Sequence, residues 1–240
     1  MNFQQFFKKS FIISNMKISV VIPAYNEEKY IGKCLESIAN QIEKPSEIIV
    51  VDNNCTDKTI EIAKSFNNVT IVKEEKQGMI FARNAGFDSA KYEILARTDV
   101  DTILPPDWIS KIKEDFKDPD LGGLSGPTSY FKTPLMSDIS RSVVLLYFYI
   151  VGLMIGNTPL LGPNMAIRKS LWEKIKKDVC LDDHKVHEDI DLSIHLAKIA
   201  KIKIDKNLTI RTLRGRWSKL LTEYIVRLIK MTVSHRKFLL

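Results

Sequence analysis

The sequence predicts an α/β protein built on one mostly parallel β-sheet with helices on both faces. Over residues 17–101, short β-branched runs alternate with stretches whose apolar residues recur at helical spacing, and polar residues follow the ends of several runs. Strands that alternate with helices in this way are typical of a parallel sheet. In such sheets ligands bind beyond the carboxyl ends of the strands. The fold class therefore also predicts where a site should lie.

The first strand is predicted at residues 17–23, a β-branched run that ends at Pro23. Asn26 is the predicted N-cap of the helix that follows, with Glu27 and Glu28 in its first turn, where acidic side chains are favourable. The apolar residues of this helix share one face: Ile31, Cys34, Leu35, Ile38 and Ala39.

The same order of strand and helix repeats along the next part of the chain. The predicted strands are short apolar runs, and the predicted helices lie between them. These elements are strands at residues 47–51, 69–72 and 92–96 and helices at residues 58–66 and 79–90.

Four polar residues follow strand ends in this scheme, so they should meet at one edge of the sheet. Asp99 and Asp101 come after the fourth strand, Tyr25 after the first and Asp52 after the second. Two carboxylates one residue apart can bind a hard divalent cation that also contacts phosphate. Asp also favours turns and helix caps, so a purely local role for Asp52 and Asp99 stays open.

Five motifs occur in order along residues 17–192: residues 20–28, 50–57, 78–86, 98–101 and 187–192. They read VVIPAYNEE, VVDNNCTD, GMIFARNAG, TDVD and HEDIDL. Together they resemble the family 2 glycosyltransferases of the GT-A fold, which implies a Rossmann-like sheet and transfer of one sugar from a nucleotide-sugar with inversion. The nucleotide-sugar donor would be a UDP-sugar, and the acceptor hydroxyl would belong to a cell-surface or lipid-linked glycan.

The resemblance also implies roles for individual residues. Asp99 and Asp101 would hold Mn²⁺ or Mg²⁺, and the catalytic residues would be Asp189, as the base, and Glu188. Donor-binding residues would be Pro23, Tyr25, Glu27, Asp52, Arg83 and Asp99. The acceptor side would include Trp108, Gly162 and Asn164, although the last two also suit an ordinary turn.

The chemistry of the transfer explains why such residues are needed. A diphosphate leaves readily only when its charge is neutralised, and the acceptor hydroxyl must lose a proton as it attacks. Asp189 is our candidate for the proton acceptor and Asp191 is the second candidate. Acidic residues are common in a first helical turn, so a capping role for Glu188 and Asp189 is the alternative. His184 and His187 could contact phosphate or be structural.

Length and composition favour one catalytic domain. The chain has 240 residues, of which 45% are hydrophobic, enough for one substantial core. We predict an N-terminal extension at residues 1–16, a catalytic domain at 17–212 and a C-terminal helix at 213–240. Within the domain, residues 17–101 would bind the nucleotide and 102–212 the acceptor. Three unpatterned cysteines indicate neither a disulfide framework nor a zinc site and favour the cytoplasm.

Positive charge is concentrated at the C-terminus. Residues 201–240 hold eleven Lys and Arg against Asp205 and Glu223, a net charge of +9, which leaves −2 for the rest of the chain's total of +7. From Trp217 onward the pattern is a basic amphipathic helix, which suits either the inner face of an anionic cell membrane or packing on the domain. No nucleic-acid recognition motif accompanies this charge.

Two further segments refine this prediction. Residues 143–155 are thirteen uncharged, mostly apolar residues, too few for an ordinary span of about 20, so a buried or interfacial helix is expected. Arg214–Trp217 partly resembles the Gln-x-x-Arg-Trp element of processive family members, but Leu213 replaces the Gln, which disfavours a polysaccharide synthase. A nucleotidyltransferase and a non-catalytic binding module remain as alternatives.

Overall fold

A seven-stranded sheet lies at the centre of the computed structural model, which describes residues 16–130, 134–182 and 185–214. The strands of the described part of the chain are β1 Ile18–Ala24, β2 Glu47–Asp52, β3 Val69–Lys73, β4 Ile94–Arg97, β5 Thr102–Ile103, β6 Leu121–Ser125, β7 Thr128–Ser129, β8 Met165–Arg168, β9 Lys201–Ile204 and β10 Ile210–Thr212. The main sheet has the order β3-β2-β1-β4-β8-β6-β9.

The first half of the sheet is parallel and the second half is mixed. β1 pairs in parallel with β2 and β4, and β2 pairs in parallel with β3. β8 runs antiparallel to both β4 and β6, and β9 is parallel to β6. All seven residues of β1 are buried, because the strand is covered on both faces. This is why β1 is apolar apart from Ser19, whose buried hydroxyl donates a 2.9 Å hydrogen bond to Glu47 Oε2.

Helices cover both faces of the sheet. They are α1 Ile31–Ala39, α2 Thr59–Lys64, α3 Met79–Ser89, α4 Trp108–Asp115, α5 Pro134–Ile155, α6 Lys169–Ile175 and α7 Glu188–Ala197. α1, α2 and α4 pack on the face that holds Val20 and Ile22, whereas α3, α6 and α7 pack on the face that holds Val21. The predicted α/β class, with helices on both faces of a mostly parallel sheet, is confirmed.

Gly86 lets α3 lie close against β1. A Cβ atom at Gly86 would come within 2.3 Å of Val21 Cγ1 and 3.0 Å of Val51 Cγ2. Any larger residue would therefore push the helix away from the sheet. This contact between the second half of α3 and the strands holds the helix close against β1 and β2.

A second, three-stranded sheet has the order β5-β10-β7 and was not predicted. β5 follows directly after Asp101, and β10 pairs with it. The backbone N–H of Leu213, just after β10, donates a 2.7 Å hydrogen bond to the carbonyl of Asp101. The small sheet thereby carries Arg214 to the Asp99–Asp101 loop.

Two local predictions were wrong. α1 begins at Ile31 rather than near Glu27, and its N-cap residue is Tyr30. Asn26 instead has a positive φ of 53° and its side chain accepts a 2.8 Å hydrogen bond from the N–H of Thr56. The second difference is α5, which has 22 residues and starts at Pro134, nine residues before the predicted segment.

The predicted terminal segments lie almost wholly outside the described residues. Only Met16 of the N-terminal extension and Leu213 and Arg214 of the C-terminal segment are described. The division of the domain at residue 101 stays a prediction, although strands from both proposed halves join one sheet.

Candidate active site

A cleft of about 340 Å³ lies beyond the carboxyl ends of β1, β2 and β4. It opens there because register places Ala24 opposite Asp52, and Val21 opposite Arg97, so these three strands end at one edge. The cleft is lined by Pro23, Ala24, Tyr25, Glu27, Asn53, Gln77, Met79, Ala82, Asp99, Val100, Asp101 and Arg214.

Five of the predicted site residues line this cleft: Pro23, Tyr25, Glu27, Asp99 and Asp101. Tyr25 is 52% exposed, so the face of its ring is open to a ligand. Asp52 and Arg83 are not among the lining residues. Asp52 is half-buried and accepts a 2.8 Å hydrogen bond from the N–H of Cys55, which holds the turn after β2.

Asp99 and Asp101 form a crowded acidic pair beside Arg214. Burial, with the added repulsion of the Asp99 charge, raises the pKa of Asp101 to about 6. The Arg214 guanidinium opposes this shift, since its Nε lies 3.6 Å from Asp101 Oδ2. Arg214 also pairs with Glu27 and covers the ring of Tyr30. One cation therefore bridges the loop after β1 and the loop after β4.

A buried ion-pair network holds the Asp99–Asp101 loop from the interior of the domain. Arg83 and Arg97 are 0% and 2% exposed, and both bind the carboxylate of Glu188. Arg83 Nη1 lies 2.8 Å from Glu188 Oε2, while Arg97 Nη1 contacts Oε1. Arg97 Nη2 also donates a 3.1 Å bond to Asp99 Oδ1. The network thus joins the start of α7 to the Asp99–Asp101 loop.

Glu188 is held ionised in this network. Burial alone would raise its pKa, but the charges of Arg97 and Arg83 outweigh burial and hold the pKa of Glu188 below its ordinary value. Because both carboxylate oxygens accept bonds from guanidinium groups, this side chain is suited to positioning its neighbours. Arg83 is likewise enclosed at Glu188 and does not reach the cleft surface.

Asp189 has the opposite electrostatic setting. Its Oδ2 accepts a 2.9 Å hydrogen bond from the N–H of Gly162, and its Oδ1 accepts one of 2.9 Å from the N–H of Ile190. Burial, followed by the nearby charge of Glu188, raises the pKa of Asp189 to about 6. A carboxylate with a pKa near neutrality is suited to exchange a proton.

Asp191, the second candidate for the base, is fully buried. Its Oδ2 accepts a 2.9 Å hydrogen bond from the N–H of Cys180, and its Oδ1 lies 3.7 Å from Nε2 of His195 on the next turn. It faces the core around α7 and is not open to an acceptor. His187 precedes α7, and His184 lies outside the described residues.

Gly162 brings a short 3₁₀ turn, Gly162–Asn164, against both Asp189 and Arg97. A Cβ atom at Gly162 would lie 3.0 to 3.1 Å from the Arg97 guanidinium, so a side chain here would disturb the ion-pair network. The absence of a Cβ lets the turn lie against Arg97, and in this position the Gly162 N–H bonds to Asp189. Gly162 therefore contacts the candidate base, while its place on the acceptor side stays a prediction.

Trp108 and Asn164 were expected on the acceptor side, but the structure places both in the interior with 0% exposure. The indole N–H of Trp108 donates a 2.9 Å bond to Asn164 Oδ1, and Asn164 Nδ2 donates to the carbonyls of Pro127 and Leu208. These bonds satisfy polar groups in the core and fix the turn that contains Gly162. Neither side chain offers a surface to an acceptor in this structure.

Sequence reasoning missed three residues of the site. Arg97 could have been identified from the sequence, because an arginine at the end of an apolar strand needs a buried partner of opposite charge. Asn53 follows β2, and its side chain ties the loop before α3 to the cleft by bonding Glu74, Lys76 and Gly78. Arg214 had no local signal, because its position depends on the pairing of β10.

The acidic pair fits a hard divalent cation. Asp99 and Asp101 offer only oxygen ligands, and a cation between them would relieve the repulsion that raises the Asp101 pKa. Among residues 16–130, 134–182 and 185–214 no cluster of three or more His, Cys, Asp or Glu side chains is arranged to bind a metal. Two carboxylates suit an ion that also takes phosphate oxygens and waters.

The sheet order, the cleft at its carboxyl edge and the acidic pair define a GT-A type of nucleotide-binding fold. Mannosyltransferase PcManGT from Pyrobaculum calidifontis, solved in complex with GDP-Man and Mn²⁺, aligns with a TM-score of 0.69 and 18% identity over 98% of this chain and 71% of its own. S. aureus TarS 1-349 in complex with UDP-GlcNAc aligns with a TM-score of 0.61 and 21% identity over 84% of this chain and 59% of its own. These similarities confirm the predicted GT-A fold.

Sequence comparison gives the family. The model of glycosyl transferase family 2 matches residues 19–175, more than half of the chain. The chain belongs to glycosyl transferase family 2, as the five motifs indicated.

Two curated relatives show how far the similarity reaches. Dolichyl N-acetyl-alpha-D-glucosaminyl phosphate 3-beta-D-2,3-diacetamido-2,3-dideoxy-beta-D-glucuronosyltransferase from Methanococcus voltae is 26% identical over 202 residues, 75% of this chain and 61% of its own length. Glycosyltransferase AglE from Haloferax volcanii is 37% identical over 101 residues, 39% of this chain and 33% of its own length. The chain therefore spans less than two thirds of either relative.

Proposed function

We propose that this chain is an inverting glycosyltransferase that moves one sugar from a nucleotide-sugar, of the UDP-sugar type, to an acceptor hydroxyl. The observation that carries the proposal is that one ion-pair network connects the acidic pair at the donor cleft to the start of α7, where Asp189 lies. Glu188 and Arg97 link the acidic pair at the donor cleft to α7, whose next residue, Asp189, has a pKa raised to about 6. Both a donor site and a proton acceptor are thereby held by the same buried groups.

Family membership supports this proposal, and so do the ligands of the structural neighbours. TarS was solved with UDP-GlcNAc and PcManGT with GDP-Man and Mn²⁺. In this chain Asp99 and Asp101 would hold Mn²⁺ or Mg²⁺, which when bound neutralises the diphosphate. The exposed ring of Tyr25 would stack on the base, while Pro23 and Glu27 line the same wall of the cleft.

Asp189 is the proposed general base. Its carboxylate takes the proton of the acceptor hydroxyl while the acceptor oxygen bonds to the anomeric carbon of the donor sugar. The bond between that carbon and the diphosphate oxygen breaks, and the nucleoside diphosphate leaves with the electron pair. Attack from the side opposite the leaving group inverts the configuration at the anomeric carbon.

Glu188 and Arg97 are proposed as positioning residues. Glu188 stays ionised and fixes Arg97, and Arg97 holds Asp99 in the donor loop. Arg83, which lies in the core, pairs with the other carboxylate oxygen of Glu188. In this account Arg83 acts through Glu188 and does not contact the diphosphate directly.

The acceptor side of the proposal is a cell-surface or lipid-linked glycan handled at the inner face of the membrane. The Methanococcus voltae relative carries a dolichyl phosphate sugar in its name, which supports a lipid-linked acceptor. The net charge of +9 over residues 201–240 supports contact with anionic lipid.

Isothermal titration with a panel of nucleotide-sugars, with and without Mn²⁺, tests the proposal. Saturable binding of one nucleotide class, together with slow release of nucleoside diphosphate from that donor, is the expected result. Binding without any turnover, with or without vesicles that supply acceptors, would instead favour a non-catalytic binding module. Release of pyrophosphate when the protein is given a nucleoside triphosphate and a sugar 1-phosphate would favour a nucleotidyltransferase.

A further inference from the structure

Helix α5 has two apolar faces, and one of them packs into the domain. Val144, Phe148, Val151 and Ile155 are between 1% and 7% exposed. Val151 and Ile155 belong to the same buried cluster as Ile190 and Ile194 of α7. The helix is therefore fixed to the element that begins with Glu188 and Asp189.

The other face of α5 is exposed along its whole length. Eight large apolar side chains on it are 40% to 72% exposed: Leu135, Met136, Ile139, Val143, Leu146, Tyr149, Ile150 and Leu153. At 100° per residue they cover an arc of about 140° on a helix that is about 33 Å long. Contiguous exposed apolar surface of this kind marks an interaction site.

By length and composition, Leu135–Ile155 is the one helix in the described part of the chain that could cross a membrane. A crossing is incompatible with the packing of its inner face, since that face contacts α7 and the core. In an interfacial position, with the helix axis parallel to a bilayer surface, the inner face stays packed on the domain and the exposed face is buried in lipid.

A groove of about 650 Å³ extends the exposed face at the end of α5. Phe148, Gly152, Leu153 and Pro159 give it an apolar lining, and the exposed side chain of Lys206 stands at it. The chain runs from this groove through residues 157–161 to Gly162, whose N–H binds Asp189. The groove and the proposed base are thus joined by a few residues of one segment.

The charges on and near the exposed face of α5 indicate what kind of partner binds there. After Asp138 and Arg141 in its first two turns, α5 has no charged residue from Ser142 to Ile155, so this longer part of the face lacks the flanking charges that set pairing in water-soluble helix pairs. Lys206, whose exposed side chain lies at the groove, supplies a positive charge that complements anionic headgroups. Tyr149, at 65% exposure, is a residue type that favours the membrane interface.

We propose that the exposed face of α5, with the groove at its end, docks on an anionic phospholipid bilayer and holds the active site at the membrane surface. The consequence for catalysis rests on the proposed transferase function: the acceptor is a lipid-linked hydroxyl compound that reaches Asp189 from the bilayer. The docking itself does not depend on that function.

The test is flotation of the full chain with phosphatidylcholine vesicles that contain phosphatidylglycerol. It compares wild type, Leu146→Gln/Leu153→Gln on α5, and the matched control Ile42→Gln/Ile199→Gln, whose side chains are 73% and 47% exposed elsewhere. The salt concentration is about 1 M, where charge attraction is screened within about 3 Å and apolar contact remains. The α5 variant should lose about tenfold in partition coefficient for each substitution, and the control should bind like wild type.

Three results would overturn the docking proposal. One is wild-type protein that does not float with the vesicles at low or high salt. Another is equal binding by the α5 variant and the control. The third is light scattering that shows a wild-type dimer which the α5 variant converts to a monomer, because the face would then join two copies of the chain.

Nucleotide-sugar hydrolysis in vesicle-free buffer separates this inference from the proposed function. The α5 variant should hydrolyse donor like wild type, because its substitutions lie outside the donor cleft. Vesicle binding without donor hydrolysis in the wild type would leave the docking intact and refute the transferase. Donor hydrolysis without vesicle binding would leave the proposed transferase function intact and refute the docking.

Discussion

Replacing Glu188 by Gln should destabilise the domain strongly, because it removes the negative charge that two buried arginines share. Arg83 and Arg97 are 0% and 2% exposed, and both bind the Glu188 carboxylate. Gln keeps the size of the side chain but cannot offer two acceptor oxygens or a charge. Two guanidinium groups would then lie in the interior, and the only carboxylate of the described residues still paired with either of them would be Asp99, which contacts Arg97.

The size of the effect follows from the burial. Removing one partner of a buried ion pair typically reduces the free energy of unfolding by about 3–5 kcal/mol. Each kcal/mol shifts the melting temperature by about 2–4 °C in a domain of 150–250 residues, so a fall of about 6–20 °C is expected. Since a whole domain is stable by only about 5–15 kcal/mol, the loss should be easy to measure.

Urea unfolding followed by circular dichroism is the assay. The exposed Glu36 on α1 gives the matched control, and Glu36→Gln should unfold like wild type within about 0.5 kcal/mol. A second variant, Glu188→Gln/Arg83→Met, should recover part of the lost stability because it removes one of the uncompensated charges. If Glu188→Gln unfolds with the same midpoint as Glu36→Gln, the network does not hold the site and the reasoning is refuted.

Three further predictions concern the site itself. The transfer rate at saturating donor and metal should rise with pH through about 6, because the pKa of Asp189 is raised to about 6 and only its ionised form accepts a proton; a rate that is flat from pH 5 to 7 would contradict this. Asp101→Asn should abolish the dependence of UDP affinity on Mn²⁺ in calorimetry, and equal UDP affinity with and without Mn²⁺ in the wild type would refute the metal site. Arg214→Ala should increase the Mn²⁺ affinity of the nucleotide-free protein several-fold, because the guanidinium next to Asp101 repels a cation; unchanged or weaker Mn²⁺ binding would show that Arg214 does not compete with the metal.

The parallel half of the sheet was predictable because its strands are buried on both faces. β1 is apolar apart from Ser19, and β2 has the apolar run Ile48–Val51. Of the polar residues that follow the strands, Tyr25, Asp99 and Asp101 line the cleft and Asp52 does not. α5 was predicted too short, since Ser137, Asp138 and Arg141 interrupt the apolar run in its first half. The helix still continues through them because its other positions face the core or the exposed apolar stripe.

The ion-pair network and the small sheet were beyond sequence reasoning. Arg97 and Glu188 are 91 residues apart, and nothing local indicates that they meet. β5, β7 and β10 have only two or three residues each, too few for an alternating pattern to be recognised. Arg214 enters the cleft only because β10 pairs with β5, so its role follows from tertiary structure alone.

The measurement that tests the proposed function most directly is donor binding and sugar transfer by Asp189→Asn alongside Asp191→Asn. Asp189→Asn should bind the nucleotide-sugar as tightly as wild type but transfer sugar roughly 10²- to 10⁴-fold more slowly, because an amide cannot accept the acceptor proton. Asp191→Asn, altered at a fully buried position, should keep its transfer rate once correctly folded protein is selected. Normal turnover by Asp189→Asn would contradict the assignment of the base, and with it the link between the raised pKa of this carboxylate and catalysis.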